Sequence, residues 1–363
     1  MDEEWTVLLS LLPVDWREKA KETNALKGLR KNKSEEDLLR TLLIHLACGY
    51  SLRETVVRAR EARLAEMSDV ALLKRLRKCK DWLAALCQSL LEDRGINLKR
   101  RENFEVRLFD ATTVKEPGKT GSLWRIHYSL RVPSLLCDYF KLTPTSGEGN
   151  GETLSQFAIE AGDYIIADRA YGRASGVECA NEHQASLLVR MSPSHIEVLD
   201  SSGQPFSWKD RLAEIPKAGN VKSWDVLIPI LKGEQPIPGR VCAIRKTEQA
   251  ILAAHKRLKE RAARKGQALK PKTFLYAEYV IVFTTFDESR FTSSDVLNWY
   301  RLRWQIELVF KRFKQLAQLG HLPKYTDESS KAWLYGKLFV TLLTEKLIWQ
   351  AHVLSPWGYV IAQ

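Results

Sequence analysis

The chain of 363 residues has no pair of cysteines at C-x-x-C spacing: Cys48, Cys79, Cys87, Cys137, Cys179 and Cys242 are scattered along it. That argues against a zinc ribbon and against a disulfide framework, and reads the six as reduced, packed thiols. The seven histidines show no H-x-x-x-H or comparable ligand spacing. A metal held by nitrogen or sulfur is therefore not expected, and any metal here has to be held by oxygen. No apolar run reaches the roughly 18 residues needed to span a bilayer, and the amino terminus, MDEEWTVLLSLLP, opens acidic where a signal peptide would be basic. The expectation is a soluble protein of the cytoplasm with no membrane partner. No internal repeat is visible.

What the chain has in excess is positive charge. Lys and Arg number 56 against 44 Asp and Glu, a formal charge of +12. A polyanionic partner, nucleic acid in particular, is the simplest reason for that balance. At roughly 100 to 200 residues per domain, the length suggests two or three structural units with ample core.

Residues 1 to about 100 read as helices. Ser34 opens SEEDLLRTLLIHLACG, Ser51 with Glu54 forms a capping box, and Ser68 opens a single long run, SDVALLKRLRKCKDWLAALCQSLLED. Basic residues on outer positions, among them Arg53, Arg58, Lys74 and Arg77, suit a small helical DNA-binding module of residues 1–100. From Phe104 the pattern turns to strands: FEVRLFDATTV, GSLWRIHYSLRV, LCDYFKLTPT and GDYIIADRAYG, punctuated by Gly and Pro. Two acids stand where strands are expected to end, Asp110 closing RLF and Asp168 closing YIIA. In a mixed α/β sheet such ends converge on a crevice. Residues from about 186 to 286 are again mostly β, interrupted by a basic helix, EQAILAAHKRLKERAARKGQALKPK, which is a candidate for phosphate contact or simply a solvated helix.

The segment WYRLRWQIELVFKRFK, 299–314, carries one acid among five Arg and Lys. As a continuous helix it puts Tyr300, Arg303, Glu307 and Lys314 within a sector of roughly 60°, opposite an apolar face of Leu302, Ile306, Val309, Phe310 and Phe313. Periodicity alone allows a solvated amphipathic face. If Asp110, Asp168 and Glu307 converge, however, their hard oxygens suit Mg²⁺ or Mn²⁺. Two such ions can serve in-line displacement at phosphorus. Arg303 and Lys314 would then neutralise phosphates, Tyr300 would donate to a phosphate oxygen, and Lys311 would share in DNA binding.

The spacing Tyr-x2-Arg-x3-Glu-x6-Lys at 300, 303, 307 and 314 resembles the signature of bacterial DDE transposases of the insertion-sequence-four family. FDATTVKEPGKTGSLWRIHYSL resembles that family's first-aspartate block and GDYIIADRAYG its second, with the glutamate block following in the right order. The resemblance implies an α/β, ribonuclease H-like catalytic core of residues 101–188 and 287–363, interrupted by a β-rich insertion, 189–286, and preceded by the all-helical domain. It implies metal-dependent cleavage and strand transfer by Asp110, Asp168 and Glu307 with two Mg²⁺ (or Mn²⁺) ions. The expected partners are double-stranded DNA, as inverted-repeat ends and target, and a second subunit on that DNA, in a nucleoid-associated setting. Many members close a DNA hairpin against an insertion-domain tryptophan, for which Trp208 and Trp224 are candidates, although the plainer reading makes each a core aromatic. Two departures stand out. Ala170 replaces an expected Gly, and the short stretch after Lys314 suggests a truncated copy, so an inactive DNA-binding remnant or repressor is the alternative.

Overall fold

The computed structural model describes residues 2–29, 33–93, 106–115, 122–132, 137–230, 235–304, 307, 311 and 326–353. Six helices come first: α1 (Asp2–Leu11), α2 (Trp16–Glu22), α3 (Glu35–Leu46), α4 (Leu52–Glu61), α5 (Asp69–Lys78) and α6 (Lys80–Asp93). Their starts follow the hydroxyl caps. Ser34 and Asp37 exchange the two bonds of a capping box at α3, and Ser51 and Ser68 accept from the third residues of α4 and α5. At α4 the expected reciprocal bond is not made, because the Glu54 carboxylate turns to Arg58 at 2.8 Å instead. The long run expected after Ser68 is two helices. It breaks at Cys79, whose N–H is shared between the carbonyls of Arg75 and Leu76. The bend lets Leu72, Leu76, Trp82, Leu83 and Leu86, all fully buried, enter one core.

Among the described residues nine strands form a single sheet in the order β3-β2-β1-β4-β5-β9-β8-β7-β6. β1 (Val106–Lys115), β2 (Ser122–Val132) and β3 (Cys137–Pro144) make an antiparallel meander. β4 (Tyr164–Ala167) and β5 (Ser186–Arg190) then add in parallel to β1, joined across α7 (Ala174–Glu182). The remaining strands, β6 (Leu199–Asp200), β7 (Val221–Ile228), β8 (Ile237–Arg245) and β9 (Tyr279–Thr284), are all antiparallel to their neighbours. The β-rich stretch expected as an insertion therefore extends the same sheet, with β9 laid directly against β5. It also holds α8 (Trp208–Ala213), α9 (Glu248–Lys265) and α10 (Pro271–Ala277).

Strand alternation sorts the side chains to two layers. Val106, Leu108, Ile166 and Leu188 face a helical layer of α1–α6 together with α11 (Ser293–Arg301) and a final helix, α12 (Asp327–Val353). Phe109, Ile165, Ala167 and Val189 face α7 and α8. The first and last helices are parts of one layer: Lys80 pairs with Glu328 at 3.0 Å, and Gly336 of α12 lies so close to Leu46 of α3 that an added Cβ would be 2.5 Å from its methyl. Arg107, 2% exposed, anchors the opposite face of β1 by ion pairs to Asp138 (2.8 Å) and Asp163 (2.7 Å) and a bond to the Ala158 carbonyl. Among the described residues no helix is long and apolar enough to cross a membrane.

Candidate active site

β1, β4 and β5 run parallel, and the register aligns Phe109 with Ala167 and Ala167 with Val189. The next residue on each is Asp110, Asp168 and Arg190, a row across neighbouring strands on the helical side of the sheet. With strands about 4.8 Å apart the two carboxylates are neighbours. Asp110 was expected to end its strand. It lies mid-strand, because β2 keeps pairing with β1 as far as Lys115, but the parallel pairing with β4 does stop at Phe109. Asp168 directly follows β4.

Each acid accepts a backbone N–H from one or two residues on. The Ala111 N–H donates to Asp110 at 2.8 Å, and the Ala170 N–H donates to Asp168 at 2.6 Å. Ala170 thus serves where Gly was expected, since its backbone needs no left-handed conformation. Tight packing falls on two later glycines: a Cβ on Gly172 would be 2.4 Å from the Arg190 carbonyl oxygen, and one on Gly176 2.1 Å from that of Tyr171.

Glu307 reaches this pair through an arginine. Arg303 pairs with the Glu307 carboxylate at 2.5 Å and approaches the Asp110 carboxylate at 3.8 Å. The single helix expected over 299–314 is interrupted here: α11 ends at Arg301, and the N–H groups of Leu302 and Arg303 bond three residues back, in a turn. Trp304, Glu307 and Lys311 are helical again. The turn separates Tyr300 from the stripe that a continuous helix would have made. Tyr300 packs against the core, with the Arg303 guanidinium 6.0 Å from its ring centroid. Lys311 is exposed, and Lys314 lies outside the described residues.

Burial pushes the Asp110 carboxyl up to about 7, and the charges of Asp168 and Glu152 add to this, while the Ala111 N–H and Arg303 oppose it. Burial likewise raises the Tyr300 phenol, helped by Asp168 and opposed by Arg303 and Arg190. Although burial works against its charge, Arg303 is raised by Tyr300, Glu307 and Asp110. Tyr171 is raised by burial and then by Asp110, Glu152 and Asp168, so a third acid, Glu152, belongs to the neighbourhood.

The donor set fits a hard divalent cation in part. Two carboxylates stand together, and burial, with the charge of Asp168 added, raises Asp110, which a bound cation would reverse. Glu307 is held on Arg303, and among the described residues no three Asp, Glu, His or Cys side chains gather closely enough to hold a metal. The third ligand is not in place.

Sequence reasoning passed over Glu152, Tyr171 and Arg190. Glu152 sits in a glycine-rich loop with no pattern to mark it. Arg190 could have been found, since it closes the strand run ASLLVR as Asp168 closes YIIA. Trp208 and Trp224 are half-buried and pack on Phe206, with the Trp224 indole N–H donating to Glu214 at 3.3 Å.

Residues 145–343 match the model of a family described as a transposase DDE domain. InsL of insertion sequence element IS186A from Escherichia coli K12 is 31% identical over 352 residues, covering 95% of this chain and 94% of that one. The transposase for insertion sequence element IS421, also from Escherichia coli, is 31% identical over 353 residues with the same coverage. Among solved structures, a piggyBac transposase synaptic complex with hairpin DNA aligns at a TM-score of 0.49 and 10% identity, covering 98% of this chain and 77% of that one.

Proposed function

This chain belongs to the DDE transposases, enzymes that cut and transfer DNA with divalent metal, and on that premise we propose that Asp110, Asp168 and Glu307 are its catalytic, metal-binding acids. The observation that carries the reading is the alignment of Asp110 and Asp168 just past the parallel pairing of β1 with β4, with Arg303 between Asp110 and Glu307. The strand order β3-β2-β1-β4-β5, three antiparallel strands followed by two parallel ones, supports a ribonuclease H-like core of residues 101–188 and 287–363. The helices of 1–100 are then a DNA-binding domain and 189–286 the insertion. The spacing of Tyr300, Arg303, Glu307 and Lys314 supports a place in the insertion-sequence-four group.

Two Mg²⁺ or Mn²⁺ ions would be held by the three acids and would supply the Lewis acidity that activates a hydroxyl and stabilises the leaving oxygen. The chain's own residues prepare that site. Burial and the charge of Asp168 raise the Asp110 carboxyl, so the site favours a bound cation. Arg303 holds Glu307 beside them, and in exchanging a carboxylate for a phosphate it brings DNA to the acids while freeing Glu307 as a ligand. Tyr300 braces the guanidinium of Arg303, and Lys311 and Lys314 contact the backbone of double-stranded inverted-repeat ends and target. Two subunits act on that DNA, in the bacterial cytoplasm.

The test is Glu307→Gln. Mg²⁺-dependent cleavage of a transposon-end duplex should be lost while the duplex is still bound. Cleavage at the parental rate would remove Glu307 from the metal set.

A further inference from the structure

Arg190 ends the row that begins with Asp110 and Asp168, and it is the first of a group of cations. The Asp168–Gly172 turn is pressed against the Arg190 backbone, which places Arg169 beside it. On the other flank of β9, Lys246 follows the end of β8, its backbone N–H bonded to the Glu278 carbonyl at 2.9 Å and its ammonium to the Ala277 carbonyl. α9 begins immediately afterwards, capped by Thr247. At about 100° per residue, Arg257 and Arg261 lie about 40° apart on one edge of that helix, whereas Lys256 and Lys259 lie roughly 100–160° around from them.

These charges feel one another. Burial lowers the Lys246 ammonium, and Arg190, Arg169 and Arg257 lower it further. Among the described residues no carboxylate oxygen lies within 4.0 Å of a charged nitrogen of Arg169, Arg190, Lys246, Arg257 or Arg261. Folding has therefore gathered five cations without a carboxylate ion pair among the described residues, and a polyanion would relieve their repulsion.

We propose that Arg169, Arg190, Lys246, Arg257 and Arg261 form one phosphodiester-binding track, leading from Asp168 across the sheet and along a single edge of α9. The inference rests on the reading of the acids as the cleavage site, which it deepens by giving the bound strand a direction. A strand whose phosphate lies at the acids continues over Arg190 and Arg169 toward α9, on the side of the sheet extended by β9 and β8. The far edge of α9, with Lys256 and Lys259, stays in solvent.

The experiment compares two charge-matched double variants of the full chain, Arg257→Gln with Arg261→Gln and Lys256→Gln with Lys259→Gln. All four positions are exposed, so folding is not at stake. Binding to a mixed-sequence DNA duplex is followed without divalent cations over a series of KCl concentrations. The first variant should lower the slope of log affinity against log salt by about two, as for two lost phosphate contacts, and the second should leave it unchanged. Equal loss in both variants, or no loss in the first, overturns the track. Parental protein that binds with this edge dependence yet never cleaves in Mg²⁺ would overturn the assignment of the acids and leave the track standing.

Discussion

The raised carboxyl of Asp110 makes a stability prediction that is independent of catalysis. Its folded pKa of about 7 stands above the ordinary 3.8 of an exposed aspartate. For a raised acid the unfolded chain gives up the proton more readily than the folded one. Stability is therefore unaffected below pH 4, falls as pH rises from there to about 7, and stays reduced above it. A shift of about three units corresponds to about 4 kcal/mol at the plateau. Asp110→Asn removes that penalty and keeps an oxygen for the Ala111 N–H, and the attraction to Arg303 at 3.8 Å is already counted in the net shift. The net gain expected at pH 8 without divalent cations is therefore about 3–4 kcal/mol. Urea unfolding followed by circular dichroism at pH 4.5 and pH 8, in chelator, measures it: the variant should exceed the parent by about 1 kcal/mol at the lower pH and by the full gain at the higher. Adding Mg²⁺ at pH 8 should narrow the gap, since a cation binding the folded parent stabilises it by mass action. A variant less stable than the parent at pH 8, or a difference independent of pH, would refute the account of a strained carboxylate pair.

Three further outcomes follow from named contacts. Arg107→Met should cost about 3–5 kcal/mol, measured by denaturant titration, because it strands the fully buried Asp138 carboxylate with only Arg131 at 3.2 Å. Gly176→Ala should destabilise the fold by more than the 1–3 kcal/mol of ordinary overpacking, read as a lowered melting temperature or loss of soluble protein, because the contact is to backbone that cannot swing away. Arg303→Ala should reduce the salt slope of DNA binding by about one. By removing the cation nearest Asp110, it should also move the midpoint of that group's titration upward, followed by the pH dependence of unfolding.

Much of the local structure was legible because it depends on neighbours in sequence. Hydroxyl caps at Ser34, Ser51 and Ser68 set helix starts through bonds spanning three residues, and the alternation of FEVRLFDATTV marked β1 through a period of two. The failures have physical causes too. Nothing near Cys79 breaks a helix on propensity, and the bend there serves a core contributed by α12, more than 240 residues away. The stripe at 299–314 assumed that periodicity implies continuity, whereas the turn at Leu302–Arg303 follows from docking α11 on the sheet while Arg303 answers two acids.

The sequence by itself determined the kinds of group available to the site: hard oxygen ligands in place of thiols or imidazoles, an excess of cations, and a spacing of aromatic, base and acid shared with a known family. These are chemical identities, and no fold can alter them. Only the tertiary structure decided that Asp110 and Asp168 are neighbours, that Arg303 stands between them and Glu307, and that Arg190 completes their row. Those relations depend on strand register between segments about 60 and 80 residues apart, where hydrogen-bond pairing and burial over the whole sheet select one alignment, and no local pattern encodes it.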